Sequence, residues 1–228
     1  MPTWPGEGSG LGLPGVGQAE PSEPDHEVRG GAGYARGASV FQLVDGADVV
    51  RVRTGDLGGE LFAVATPAGA KVVPVADVEG NSVVAGLKQA AGSGPALVTV
   101  VLAADVRWQV RLSGGAQDEV VDLTGAAGGG DVELVGGTSR AEVLLPAASG
   151  TQKVVLAGGA SQLLVRVGGQ APVRVSARDG AGSVTVDGQA HPGVSAGAVF
   201  APDGWEMAAD RYDIEATAGV SDLTVSRG

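Results

Sequence analysis

Apolar positions arrive in short bursts from residue 38 onward, each burst broken by glycine-bearing turns. "SVFQLV" (39–44), "DVVRVRT" (48–54), "ELFAVAT" (60–66) and "KVVPVADV" (71–78) alternate apolar with polar residues or run apolar for a few positions. Alternation of this kind, with turns at roughly 10–12 residue intervals, predicts an all-β domain. Helical periodicity is nowhere sustained. The best helical candidate is "NSVVAGLKQAA" (81–91), and its Gly86 and paired β-branched valines weaken it.

The pattern then becomes a repeat. The Gly-Gly pair Gly114–Gly115 returns as Gly136–Gly137 and again as Gly158–Gly159, in equal steps, and Gly92 and Gly180 extend the phase. Apolar columns keep the same step: Val110, Val132 and Val154; Leu112, Leu134 and Leu156; Val121, Val143 and Val165. Ser139, Ser161 and Ser183 form a further column. Within each unit the two strand-like runs alternate, so the apolar columns mark inward positions of stacked strands. A period held without insertions is the mark of a solenoid. Slipping one residue would turn a strand's apolar set to solvent, a reason for the spacing to hold. The predicted fold is a β-solenoid (parallel β-helix) with 22-residue coils, regular over about 92–188, with Gly-Gly supplying backbone freedom at each corner. A β-sandwich of hairpins is the alternative, since strands recurring at half that interval satisfy it too. Arg111 with Glu133, and Asp118 with Arg140, would be opposite charges on neighbouring coils.

The period breaks towards the C-terminus. "AGVSDLTV" matches "GGASQLLV" but lies well beyond the place the period assigns it, and the surplus equals the length of "QAHPGVSAGAVFAPDG" (189–204). This predicts a loop over 189–204 and a terminal cap over 205–228, with Trp205, Tyr212 and Ile214 as capping side chains. No comparable cap is evident at the N-terminal end of the domain. Residues 1–37, rich in Gly, Pro and acids, have neither periodicity and predict a flexible arm, within which Trp4, Leu11, Leu13 and Val16 are the apolar content. The folded domain is expected over 38–228.

Composition narrows the function classes. Against 26 Asp plus Glu stand 15 Lys plus Arg, a formal charge of −11 with no basic cluster, which disfavours nucleic acid and anionic lipid. The chain has neither an 18-residue apolar run nor a basic-apolar leader, so no membrane insertion is evident and a cytoplasmic protein is the expectation. Cysteine is absent, and the two histidines, His26 and His191, have no orienting carboxylate and nucleophile at a useful spacing. No His/Cys cluster could hold zinc. "GGGDVEL" (128–134) resembles a calcium-binding β-roll nonapeptide, but it occurs once and out of phase, so a corner turn followed by an exposed Asp131 is the better account. "TGDLGGEL" (54–61) and "GEGSGLGLPG" (6–15) have spaced glycines without the strand-to-helix context or lysine of a phosphate loop. The neighbouring carboxylates Asp118 and Glu119, and Asp131 and Glu133, are local pairs without aromatic platforms. Trp108 and Trp205 are expected to fill a core or an end. No catalytic residue, cofactor or metal is expected.

"WQVRLSGGA", "VELVGGTSRAEVLLP", "GAGSVTVDG" and "RYDIEATAGVSDLTV" resemble the putative-adhesin and LiaF-like β-solenoid domains of bacterial cell-envelope proteins, over roughly residues 38–228. The resemblance implies a right-handed solenoid without known catalytic residues, and a place in envelope-stress sensing or partner contacts. This chain departs from it in lacking a transmembrane segment. The expected function is a non-enzymatic interaction or scaffold module that offers flat β-faces to a protein partner. Two alternatives stand beside it: self-assembly end to end through unpaired strand edges, and ligand or envelope-stress sensing by resemblance.

Overall fold

The computed structural model describes residues 26–32 and 37–228. The strands are β1 (His26–Gly30), β2 (Ala38–Leu43), β3 (Val49–Gly55), β4 (Phe62–Thr66), β5 (Val72–Glu79), β6 (Ser82–Gln89) and β7 (Leu97–Ala103). They continue as β8 (Arg107–Leu112), β9 (Ala116–Asp122), β10 (Gly130–Leu134), β11 (Thr138–Ala147), β12 (Thr151–Leu156) and β13 (Ala160–Gly168). The last are β14 (Val173–Ala177), β15 (Ala181–Val186), β16 (Gln189–Val194), β17 (Ala198–Phe200), β18 (Arg211–Ala216) and β19 (Val220–Arg227), with a 3-10 turn at Trp205–Met207 between β17 and β18. The weak helical candidate at 81–91 is strand β6: Val83 and Ala85 point inward while Val84 is exposed, a period of two. His26–Gly30, assigned by sequence to the arm, is β1, because its backbone pairs antiparallel with β4 from His26↔Thr66 to Gly30↔Phe62. The remainder of the arm, apart from residues 31, 32 and 37, lies outside the described residues.

Two sheets of ten and nine strands face each other. Successive strands alternate between them, so that β2/β3, β6/β7, β8/β9, β10/β11, β12/β13, β14/β15 and β18/β19 are coils with one strand in each sheet. The chain path is compatible with the predicted solenoid and the two facing layers with the sandwich alternative, although consecutive coils pair in parallel and not as hairpins. Pairing between coils is parallel, and across three of them the register keeps the repeat unbroken: Val110↔Val132↔Val154 in one sheet and Val121↔Val143↔Val165 in the other. All six valines, with Leu112, Leu134 and Leu156, are buried.

Beyond those three coils the expected regularity fails. The coil order along the stack is β6/β7, β2/β3, β8/β9, β10/β11, β12/β13, β18/β19, β14/β15, so the last coil of the chain lies inside the stack. Both steps around it shift the phase: Val154 pairs with Ile214 and Ile214 with Val175, which puts Ser183 beside Asp222 instead of in the Ser161 column. The regular repeat therefore covers β8 to β13, not 92–188.

The cap assignment changes accordingly. The excursion 189–204 is not a loop but the cap itself: β16 and β17 lie antiparallel on β15 and β14 at the end of each sheet. Residues 211–227 form the inserted coil, and Tyr212 and Ile214 are completely buried inward residues of it rather than end-covering ones. The N-terminal end is covered too, by β4 and β1 on β7 and by β5 on β6, all antiparallel. The physical reason is the same at both ends. A parallel edge leaves unpaired N–H and C=O groups, and a short antiparallel return covers them at little cost in chain length.

Corner glycines are needed for closeness, not for unusual backbone angles. None of the six has a positive φ. A Cβ on Gly114 would lie 2.1 Å from Gly46 N, one on Gly136 2.3 Å from Gly114 C, and one on Gly158 2.3 Å from Gly136 O. The first glycine of each pair therefore lets consecutive corners stack in contact. The second is less constrained: a Cβ on Gly115 would meet Gly137 O at 2.8 Å, but Gly137 and Gly159 have ordinary room.

Candidate functional site

The stack's outer faces carry salt bridges and several depressions among the described residues, one of them on the ten-stranded sheet. Strands β3, β7, β4 and β1 run side by side, and their outward residues fall into two rows: Arg53, Val101, Ala63 and Arg29, then Arg51, Thr99, Ala65 and Glu27. Inward neighbours Val52, Val100, Val64 and Phe62 are buried in the core, which fixes the direction of the alternation. Two alanines between longer side chains make a trough. With the β3–β4 turn (Gly55, Asp56, Leu57) and with Pro67 and Leu97 it forms a groove of about 650 Å³.

The electrostatics of the groove are uneven. Arg29 is held between Glu27 (2.8 Å) and Glu60 (3.0 Å). Asp56 accepts the Gly58 N–H at 2.9 Å, and Gly58 and Gly59 take positive φ, so the glycines of "TGDLGGEL" serve a tight turn. Arg53, on the opposite wall, is exposed and has no ion pair among the described residues. The groove thus presents an apolar floor with the Arg53 guanidinium uncommitted on one wall, beside β1, the outermost of the described strands at this end of the sheet.

Elsewhere charges neutralise one another along the stack. In the nine-stranded sheet Asp131, Lys153, Asp213 and Arg174 are successive outward partners of alternating sign. Asp213 takes both Arg174 nitrogens at 2.9 and 2.8 Å, and this pairing raises the arginine pKa further. The expected Arg111–Glu133 pair is present. Asp118 and Arg140 are register partners as expected, but the Arg140 guanidinium turns to Gln162 Oε1 at 3.2 Å instead, within the same ladder.

The remaining sequence candidates have structural occupations. Asp131 follows two positive-φ glycines, Gly128 and Gly129, and accepts the Lys153 N–H at 2.9 Å. His191 lies on cap strand β16 against Phe200, ring centres 4.5 Å apart. Trp108 is a core residue whose Nε1 donates to Ala103 O at 2.9 Å. Trp205 donates to Tyr212 O at 2.9 Å and carries the Arg174 guanidinium 3.8 Å above its ring, so it fastens the linker before β18 to the sheet. Among the described residues no group of three His, Asp or Glu positions could hold a metal ion.

One ionisable group was not recognisable from sequence. Asp118 and Glu119 are adjacent, yet Asp118 is exposed and Glu119, an inward residue of β9, is 1% exposed. Neither of its carboxyl oxygens has a hydrogen-bond partner among the described residues, and desolvation pushes its pKa up to about 8. The strand's alternation does place Glu119 two residues before Val121, the signal that could have identified it.

The fold defines a class: an all-β stack of coils that pair in parallel across two facing sheets. Comparison with known proteins agrees at the level of fold. No family model matches the chain, and no curated protein does. A crystal structure of a "putative cell adhesion protein" from Clostridium sporogenes superposes with a TM-score of 0.67 over 90% of this chain and 100% of that one, at 14% identity. No helix among the described residues is long and apolar enough to cross a membrane.

Proposed function

We propose that this chain is a non-enzymatic interaction module that holds an extended segment of a protein partner in the groove formed by β1, β4, β7 and β3. The observation that carries this reading is the trough itself: Ala63 and Ala65 stand where the neighbouring positions of the same rows carry Arg29, Glu27 and Arg53. An extended chain lying there would bury its apolar side chains on Ala63, Ala65 and Val101, and offer a carboxylate to Arg53. The adhesion wording of the structural neighbour supports an interaction role and nothing finer.

Substitution of Thr99 tests the reading, because its side chain faces the groove and not the core. Thr99→Arg should fill the trough and leave the fold intact. Surface-immobilised wild type is expected to retain a protein from the native host's extract, with Thr99→Arg losing it and Thr185→Arg, on the distant β15, keeping it. Equal retention by all three would overturn the groove as the site.

A further inference from the structure

Sequence divides the stack at several planes, and the first of them falls between β2/β3 and β8/β9. Every described strand up to residue 103 lies on one side, with β2/β3 as its last coil, and every strand from 107 onward lies on the other, with β8/β9 as its first. Within the sheets the two parts meet only where β2 pairs with β8 and β3 with β9, and they are joined covalently through residues 104–106. Each part has its own antiparallel cap. These ion pairs among the described residues lie within one side or the other: Arg29–Glu60 and Lys71–Asp48 on one, Arg107–Asp131, Arg111–Glu133, Arg166–Glu142, Arg174–Asp213, Arg178–Glu215 and Arg227–Asp187 on the other.

Glu119 sits on this plane. Its register partner across the plane is Val50, and on its own side Ala141. The full inward column reads Val98, Val50, Glu119, Ala141, Leu163, Leu223 and Val184, so one carboxyl interrupts an otherwise apolar row. No charged side chain among the described residues faces it. The buried inward residues of the adjoining and facing strands are Val50 and Val52 on β3, Thr138, Ala141, Val143 and Leu145 on β11, Ser39, Phe41 and Leu43 on β2, Trp108, Val110 and Leu112 on β8, and Val132 and Leu134 on β10, none of them charged. Arg51, Arg53, Arg107, Arg111, Asp131, Glu133, Arg140 and Glu142 alternate to the outside of those same strands. At the corner before β3, Asp45 binds the Leu87 N–H, and Asp48 binds the Ala96 N–H and Lys71.

We propose that Glu119 is a proton-dependent clasp between the two halves of the molecule: with its proton it is accommodated in the apolar seam, and without it the β2/β3–β8/β9 seam opens. Opening there hydrates the carboxylate by separating two sequence-contiguous bodies about a single link, with no strand unthreaded and none of those ion pairs broken. The other plane that bounds Glu119, between β8/β9 and β10/β11, also divides the chain contiguously, but opening there would break Arg107–Asp131 and Arg111–Glu133.

The sign follows from linkage. The closed form keeps the proton up to about pH 8, whereas the hydrated carboxyl of the open form loses it near the ordinary value of 4.5. Opening is therefore favoured about tenfold per pH unit as pH rises from about 4.5 to about 8, and levels off above that.

Hydrogen exchange of the full chain tests this, with intrinsic exchange rates divided out. Between pH 5.5 and 7.5, peptides from 38–55 and 107–122 should lose about 100-fold of protection relative to peptides from 160–186. Glu119→Gln and Glu119→Leu should make the seam's protection independent of pH over this range. The proposal is overturned if wild type shows no excess loss at the seam, if the loss is uniform over the molecule, or if either folded variant keeps it. It is also overturned if neither variant folds, since Glu119 would then be a requirement of the core and not a clasp.

Discussion

A methyl group at Gly136 would meet the Gly114 carbonyl at 2.3 Å, whereas one at Gly137 would be 3.7 Å from Gly159 O. The two adjacent glycines look equivalent in the repeat and are not equivalent in space. Gly136→Ala is expected to destabilise the protein by about 3 kcal/mol, because the clash is with backbone that cannot rotate away. Gly137→Ala, with no positive φ to lose, should stay within about 1 kcal/mol of wild type. Urea midpoints of the two variants decide the matter, and equal effects would mean that the corner is held open by backbone angle after all. Glu119 makes the same point about chemistry. Its neighbour Asp118 is solvated, and only the direction of the strand separates an ordinary surface acid from one kept protonated by burial.

At the scale of elements, the coil is the unit that can be added or removed. Residues 132–153 span one period between equivalent points of the unbroken register. Their deletion should leave a cooperatively folding, shorter protein. Deletion of 132–142, half a period, should abolish the cooperative transition, because it joins strands that belong to different sheets. Circular dichroism with thermal melts of both deletions is the check. Charge along the outward columns is consistent with the observed coil order. Had the coils stacked in chain order, Lys153 and Arg174 would be outward neighbours of like sign, and the β18/β19 coil places Asp213 between them. That ordering was readable in principle from the outward columns, but only once the inserted coil is known to exist.

The whole molecule is closed at both ends, which bears on the alternative of end-to-end assembly. The outermost strands are short or awkward to extend: β17 has three residues, β16 carries Pro192, β5 carries Pro74, and β1 presents Glu27 and Arg29. Light scattering over a concentration series, with negative-stain microscopy, should therefore show no rods that lengthen with concentration. Rods would mean that these edges pair despite their prolines and charges. The pH clasp acts on this same scale, since β3, which carries Arg53 into the groove, is also the strand that faces Glu119.

The sequence by itself determined the all-β class, the strands β2 to β5, and the inward ladders of the three regular coils. Each of these follows from a period, one of alternation along a strand and one of coil length along the stack, and a period survives without knowledge of what lies across the core. Tertiary structure alone decided the order of the coils, the identity of the caps and the placement of the groove. Those depend on which edges would otherwise be left unpaired, a property of the assembled stack that no local pattern records. Trp205, Tyr212 and Ile214 show the difference: their bulk marks them as buried, but only the arrival of β18 between β12 and β14 decides that Tyr212 and Ile214 fill the middle of the stack while Trp205 fastens the linker leading into it.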